Sequence, residues 1–238
     1  MKKIIEIVLI LTIVLSLCAC GTQKSSPVED FEYEFEDGSV VITGYTGSDL
    51  EIVIPDSIEN RPVTVIGKEA FEEYDMKSVV IPESVIEIQD SAFNCCRSLE
   101  EITTSSTLQI VASNAFESTL WIEKQPEGIL YLNKIVIGNK GGGDYPMELY
   151  IEDGTVAIVD NALQVSKYAS SIYSSANKSE YKSIHIPESV KYIGEESVGY
   201  NDYDTIGTTR MKNFTIYGKA GSVANTYANE NEFNFIEE

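Results

Sequence analysis

Short alternations of apolar and polar residues recur along this chain more evenly than an ordinary globular sequence requires. Ile52/Ile54, Val79/Ile81, Ile102/Thr104, Leu149/Ile151, Ile184/Ile186 and Phe214/Ile216 each set two residues on one side of a short segment. Successive side chains of a strand point to opposite faces, so each pair predicts a short strand with one face inward. A proline directly follows at Pro55, Pro82 and Pro187, where it stops regular pairing and forces a corner. A second aliphatic residue comes next, and five residues beyond it another apolar one: Ile66 to Phe71, Ile88 to Phe93, Val111 to Phe116, Ile158 to Leu163, Ile193 to Val198. The last residue, usually within Ala-Phe, predicts a single helical turn whose side chain plugs a core.

Residues 76–88 and 181–193 align almost without adjustment: an apolar residue (Met76, Tyr181), two others, then apolar-x-Ile-Pro-Glu-Ser-Val. The first three plugs lie 22 and 23 residues apart, and the 47-residue step to Leu163 is close to two units. A unit of this size cannot bury its own apolar face, so the units must stack and share one core. Between the strong blocks, 128–138 reads as a β-hairpin turning at Asn133-Lys134, followed by a mobile Gly141-Gly142-Gly143 connection. Phe31, Tyr33 and Phe35 alternate before Asp37-Gly38, predicting a hairpin over the first rung. Ser222 is placed to N-cap a short helix with Val223 and Tyr227 on one face, ahead of a last strand at Phe233 and Phe235. The expected fold is a repeat solenoid of mainly short β-strands with helical turns, a β-hairpin N-cap and a small helix/strand C-cap, since open ends would expose strand edges and core.

These units resemble the BspA-like leucine-rich-repeat family. Residues 76–99 carry nearly all of its unit, including Ala92-Phe93-Asn94-Cys95-Cys96-Arg97-Ser98-Leu99, and 37–47 with 54–71 are similar to its opening stretch. The resemblance covers about residues 31–235, strongly at 37–116 and 181–198; Leu163 and Val198 depart from the Phe of the pattern, which questions tight packing at those rungs. It implies a leucine-rich-repeat-like solenoid and a surface protein engaged in adhesion and protein–protein contact. It also implies Cys96 buried in the ladder and Cys95 exposed, a vicinal disulfide being the alternative in an oxidising compartment.

At the N-terminus, Met1-Lys2-Lys3 precedes an apolar run from Ile7 to Leu17. The run is shorter than the roughly 20 residues a membrane-spanning helix needs and fits the core of a secretory signal. Leu17-Cys18-Ala19-Cys20 then resembles the lipobox of bacterial lipoproteins. That resemblance implies cleavage before Cys20 and a diacylglyceryl thioether on its thiol, whose two acyl chains meet the requirement for stable anchoring. The expected organisation is a signal peptide at 1–19, a lipidated cysteine and flexible tether at 20–30, the solenoid at 31–217 and a cap at 218–238. The expected location is extracytoplasmic, on the outer face of the cell membrane.

A net charge of −21 argues against nucleic acid as a partner, because such binding rests on Lys and Arg neutralising phosphates. It also argues against attachment to anionic lipid through a basic patch. The lone histidine, His185, alternates with Ile184 and Ile186 and so points to the outer face of a strand. Asn201-Asp202-Tyr203-Asp204 has a faint calcium-loop character, but Ile206 stands where an oxygen ligand belongs before Gly207. No phosphate loop and no nucleophile elbow is present. No catalytic residue, metal site or cofactor is therefore assigned. The remaining candidate is a surface: two insertions, 164–183 and 199–213, hold Tyr168, Tyr173, Tyr181, Tyr200 and Tyr203 among Ser, Asn and Gly. That composition suits recognition loops, and equally disordered or self-packed ones. The expected function is a lipid-anchored scaffold contacting a protein or glycan at the cell envelope. The alternatives are an envelope hydrolase using paired carboxylates and a purely structural envelope component.

Overall fold

The computed structural model describes residues 24–140, 147–166, 181–203 and 207–238; Cys20, Tyr168 and Tyr173 lie outside them. After a 3-10 turn at Val28–Asp30, Phe31–Glu36 (β1) and Ser39–Tyr45 (β2) pair antiparallel. Asp37 and Gly38 between them have φ of 45° and 85°, as a tight hairpin turn demands. The segment before β1 is more ordered than a tether. Ser26 is buried, its N–H donates to Val53 O at 2.9 Å and its Oγ accepts from Val53 N at 3.1 Å. Of the expected flexible stretch 20–30, the part from Ser26 onward is thus docked on the first rung.

The rungs follow as Glu51–Val53 (β3), Ser57–Ile58 (β4), Arg61–Ile66 (β5), Ser78–Val80 (β6), Glu87–Ile88 (β7), Glu101–Thr103 (β8) and Ile110–Val111 (β9). Strands β3, β6 and β8 form one parallel ladder; β2, β5, β7 and β9 form another, with β1 and β4 pairing antiparallel at β2 and β5. Leu120–Lys124 (α1), N-capped by Thr119, ends this half, and its Trp121 lies 5.9 Å from the Phe116 ring. The predicted hairpin appears as Gly128–Leu132 (β10) and Ile135–Lys140 (β11), with Asn133 at φ 56° in the turn and its Nδ2 donating to Ser105 O at 3.2 Å.

The second half repeats the scheme with Glu148–Tyr150 (β12), Ala157–Ile158 (β13), Val165–Ser166 (β14), Ser183–Ile186 (β15), Tyr192–Ile193 (β16), Tyr200–Tyr203 (β17), Gly207–Arg210 (β18) and Thr215–Gly218 (β19). Val223–Glu230 (α2) and Asn234–Glu237 (β20) close the chain. The ladders are β11-β13-β16, β12-β15-β19-β20 and β14-β17-β18. Ser222 caps α2 as predicted, its Oγ accepting from Asn225 N, and Tyr227 is buried. Phe235 lies in β20, whereas Phe233 sits just before it, buried under the end of the solenoid.

The Ala-Phe segments plug the core but are not helical turns. Glu69, Ser91, Asn161 and Glu196 stand at φ of 59°, 55°, 60° and 49°. A left-handed residue breaks the local helical bonding and turns backbone N–H groups toward the next rung. Phe71 N donates to Ala92 O and Phe93 N to Ala115 O, both at 2.8 Å, and Leu163 N to Ser197 O at 2.9 Å. Inside, the rings of Phe71, Phe93 and Phe116 stack at 5.1 Å and 4° per step. Cys96 joins them, fully buried, its thiol donating to Phe71 O at 3.0 Å and pushed up to about 12 by burial. Cys95 is half-buried rather than exposed, and both are free thiols. Where Leu163 and Val198 replace the aromatic plug, both are fully buried, and Tyr181 and Phe214 supply aromatic bulk edge-to-face at 5.2 Å.

Candidate functional site

Tyr181 does not belong to a recognition surface. It is fully buried, donates its O–H to Leu163 O at 2.8 Å and accepts from Gly199 N at 3.2 Å. It occupies in its unit the place that Met76, also fully buried, holds in the earlier one. Tyr200 is half-buried: its ring packs edge-to-face on Phe233 at 5.6 Å and its hydroxyl donates to Asn231 Oδ1 at 2.6 Å. Desolvation first, then the Glu196 charge, hold that hydroxyl above its ordinary value against the pull of Arg210. Tyr203 ends β17, opposite Gly207. Asn201 and Asp202 lie on the same strand, paired with Val165 and Ser166 on one side and with Thr209 and Thr208 on the other; Asp204 and Ile206 lie outside the described residues. Among the described residues no three His, Cys, Asp or Glu side chains converge on one point as a ligand set.

What the structure does assemble is an aromatic row on the outward face of β12, β15 and β19. Leu149, Ile184 and Ile216 point inward and are buried; the residue after each points out. Parallel pairing in register sets Tyr150 beside His185, His185 beside Tyr217, and Tyr217 beside Ile236. Neighbouring strands lie about 4.8 Å apart, close to the stacking distance of flat rings. Tyr150 and His185 accordingly stack at 4.2 Å and 8°, and His185 and Tyr217 at 4.4 Å and 6°. Carboxylates flank the row. His185 Nδ1 donates to the Glu238 carboxylate at 2.9 Å, and Nε2 lies 4.0 Å from Glu148 Oε2 without a hydrogen-bond partner. The Tyr150 hydroxyl donates to Glu148 Oε2 at 2.9 Å, and that bond is the first cause holding it above its ordinary value. Tyr150 and Ile236 keep 61% and 47% of their surface in water, and with the rings between them they form one continuous outward row.

The matching face of β3, β6 and β8 differs. Its rows are Glu51–Ser78–Glu101 and Val53–Val80–Thr103, and a shallow depression of about 380 Å³ there is lined largely by polar groups, including Lys77 and Glu100. A general acid of a hydrolase needs a carboxyl raised toward neutrality. Glu100 and Glu188 move the other way, each held below the usual range by hydrogen bonding to a lysine, Lys124 and Lys219 respectively.

Stacked rungs whose short strands line up in parallel ladders around a shared aromatic core define a leucine-rich-repeat solenoid. The family model for the BspA type leucine rich repeat region, of six copies, matches residues 51–127, so that stretch is similar to BspA-type leucine-rich repeats. Solved structures of bacterial leucine-rich-repeat proteins are similar to it. A T. pallidum leucine rich repeat protein (TpLRR) is 19% identical over 82% of this chain and 71% of its own, with a TM-score of 0.45. A leucine-rich repeat protein from Bacteroides capillosus is 22% identical over 82% of this chain and 99% of its own, with a TM-score of 0.35. A leucine rich cell surface protein from Faecalibacterium prausnitzii is 18% identical over 76% of this chain and 57% of its own, with a TM-score of 0.40. No curated protein matches. Proteins of this family typically bind other proteins or act as surface scaffolds. Among the described residues no helix is long and apolar enough to cross a membrane.

Proposed function

We propose that this chain is a lipid-anchored, extracytoplasmic scaffold that holds a protein or glycan partner at the cell envelope, and that the outward face of β12, β15 and β19 makes the contact. The observation that carries this reading is the ordered row Tyr150–His185–Tyr217–Ile236, with large apolar surface left in water at Tyr150 and Ile236. Rigid aromatic side chains give contact area at low entropic cost, and here the solenoid holds them without help from a loop. The anchor rests on Cys20 within Leu17-Cys18-Ala19-Cys20. Cys20→Ala is expected to move the protein from the membrane fraction to the medium, and unchanged partitioning of that variant into detergent overturns the anchor. Envelope material captured by the released protein is expected to be lost when Tyr150 and Ile236 are both changed to alanine. An unchanged set of captured partners places the contact elsewhere, and no capture by either protein favours a purely structural component.

A further inference from the structure

The row has a property that narrows the partner's chemistry. Of the three rings, His185 is covered on both faces, by Tyr150 and Tyr217, whereas among the described residues Tyr150 has a neighbour ring on one face. Among the described residues β12 is the edge strand of its ladder, and no strand pairs with it on the side of the other face of Tyr150. The carboxylate nearest that ring is Glu148, half-exposed, whose ion-pair contact among the described residues is His185 at 4.0 Å. Glu238, on the far side of His185, adds a second negative charge that Tyr150 feels. An open aromatic face beside a carboxylate is half of an arrangement this protein completes elsewhere. Arg210 Nη1 donates to Glu232 Oε2 at 2.7 Å while its guanidinium carbon lies 6.0 Å from the centre of the Phe233 ring. Arg61 lies over the Phe35 ring, at 4.2 Å, as a ring contact alone. At Tyr150 the ring and the carboxylate are present, and among the described residues no arginine lies over that ring.

We propose that the open face of Tyr150, with the Glu148 carboxylate beside it, receives a cationic side chain, arginine foremost, from a basic protein segment lying along the Tyr150–His185–Tyr217 row. A guanidinium is flat, weakly hydrated and always charged, so it stacks on the ring and pairs with the carboxylate at once. Charge complementarity selects this occupant. A chain of net charge −21 repels an acidic partner or a second copy of itself at this face, and a neutral sugar gains from the ring but nothing from the carboxylate. The proposal rests on the binding reading above and names the chemistry of its partner.

The test uses the full chain in neutral detergent micelles and a fluorescent peptide of alternating arginine and glycine, with lysine and citrulline versions as comparisons. Tyr150→Ala and Glu148→Gln are each expected to weaken arginine-peptide binding about five- to tenfold. Glu34→Gln, the same change of charge on the exposed face of β1, is expected to leave it within about twofold, because a charge beyond the screening length contributes little. Binding is expected to fall from arginine to lysine and to vanish with citrulline. Equal losses from Glu34→Gln and Glu148→Gln would reduce the effect to diffuse charge and overturn the site, as would unchanged binding by Tyr150→Ala. An uncharged β-linked glucose hexasaccharide is tested in parallel. If it binds in a Tyr150-dependent way and the arginine peptide does not, the cationic partner is wrong while the binding face stands; if neither probe responds to Tyr150→Ala, both fall.

Discussion

Phe93→Ala is expected to destabilise the protein by about 3–5 kcal/mol, the cost of removing a buried aromatic ring and leaving its cavity. The upper part of that range applies because the site cannot collapse. The ring has no exposed surface and lies between Phe71 and Phe116, parallel to both at 5.1 Å. Its neighbours are held at that spacing by backbone bonds, Phe71 N to Ala92 O and Phe93 N to Ala115 O, so they do not close over the gap. Nor does water fill it cheaply, since the walls are aromatic rings, Cys96 and Ala92. For a chain of this length about 2–4 °C is lost per kcal/mol, giving a fall in Tm on the order of 6–20 °C. A Tm within about two degrees of wild type would mean that Phe93 is not the middle of a stack and that the repeat register is wrong.

That register was legible because every rung repeats the same inward demand. Ile52, Val79, Leu149, Ile184 and Ile216 are buried at equivalent places, and a periodic constraint of that kind shows in a single sequence. The left-handed turn residues did not show. Glu69, Ser91, Asn161 and Glu196 share a backbone conformation, but Glu, Ser and Asn side chains give no common mark of it in the sequence, so their segments read as helical turns. The aromatic row was hidden for another reason. Tyr150, His185 and Tyr217 are separated by insertions of unequal length and become neighbours only once β12, β15 and β19 are paired in register. Local alternation placed His185 on an outer face but did not say what stood on either side of it. Tyr181 carries two conflicting signals, a loop-like composition around it and an alignment of the two strong blocks that sets it on Met76, a core position. The packing against Phe214 shows that the alignment is the better guide.

Gly199→Ala is expected to cost on the order of 2–5 kcal/mol, because two penalties of different origin fall on one methyl group: about 1–2 kcal/mol for a left-handed residue with a Cβ and about 1–3 kcal/mol for overpacking. Gly199 has φ of +79°, and a Cβ there would lie 2.7 Å from Phe233 Cζ and 2.8 Å from Phe214 Cδ1. Neither ring has room to retreat. Phe214 is held edge-to-face by Tyr181 at 5.2 Å and by Phe233 at 5.4 Å, and Phe233 is packed in turn by Tyr200 and Tyr227. Backbone movement is also resisted, since Gly199 N donates to the Tyr181 hydroxyl and Gly199 O accepts from Met211 N at 2.8 Å. The consequence reaches the candidate face, because Phe214 directly precedes β19, and β19 carries Tyr217 and the bonds to β20. In urea the midpoint is expected to fall with the slope unchanged, the sign of lost stability rather than of an altered unfolded state. Tyr150-dependent binding is expected to weaken with it as β19 loosens. An unchanged midpoint would show that the last rungs do not close on Gly199, and the placement of Tyr217 beside His185 would fall with them.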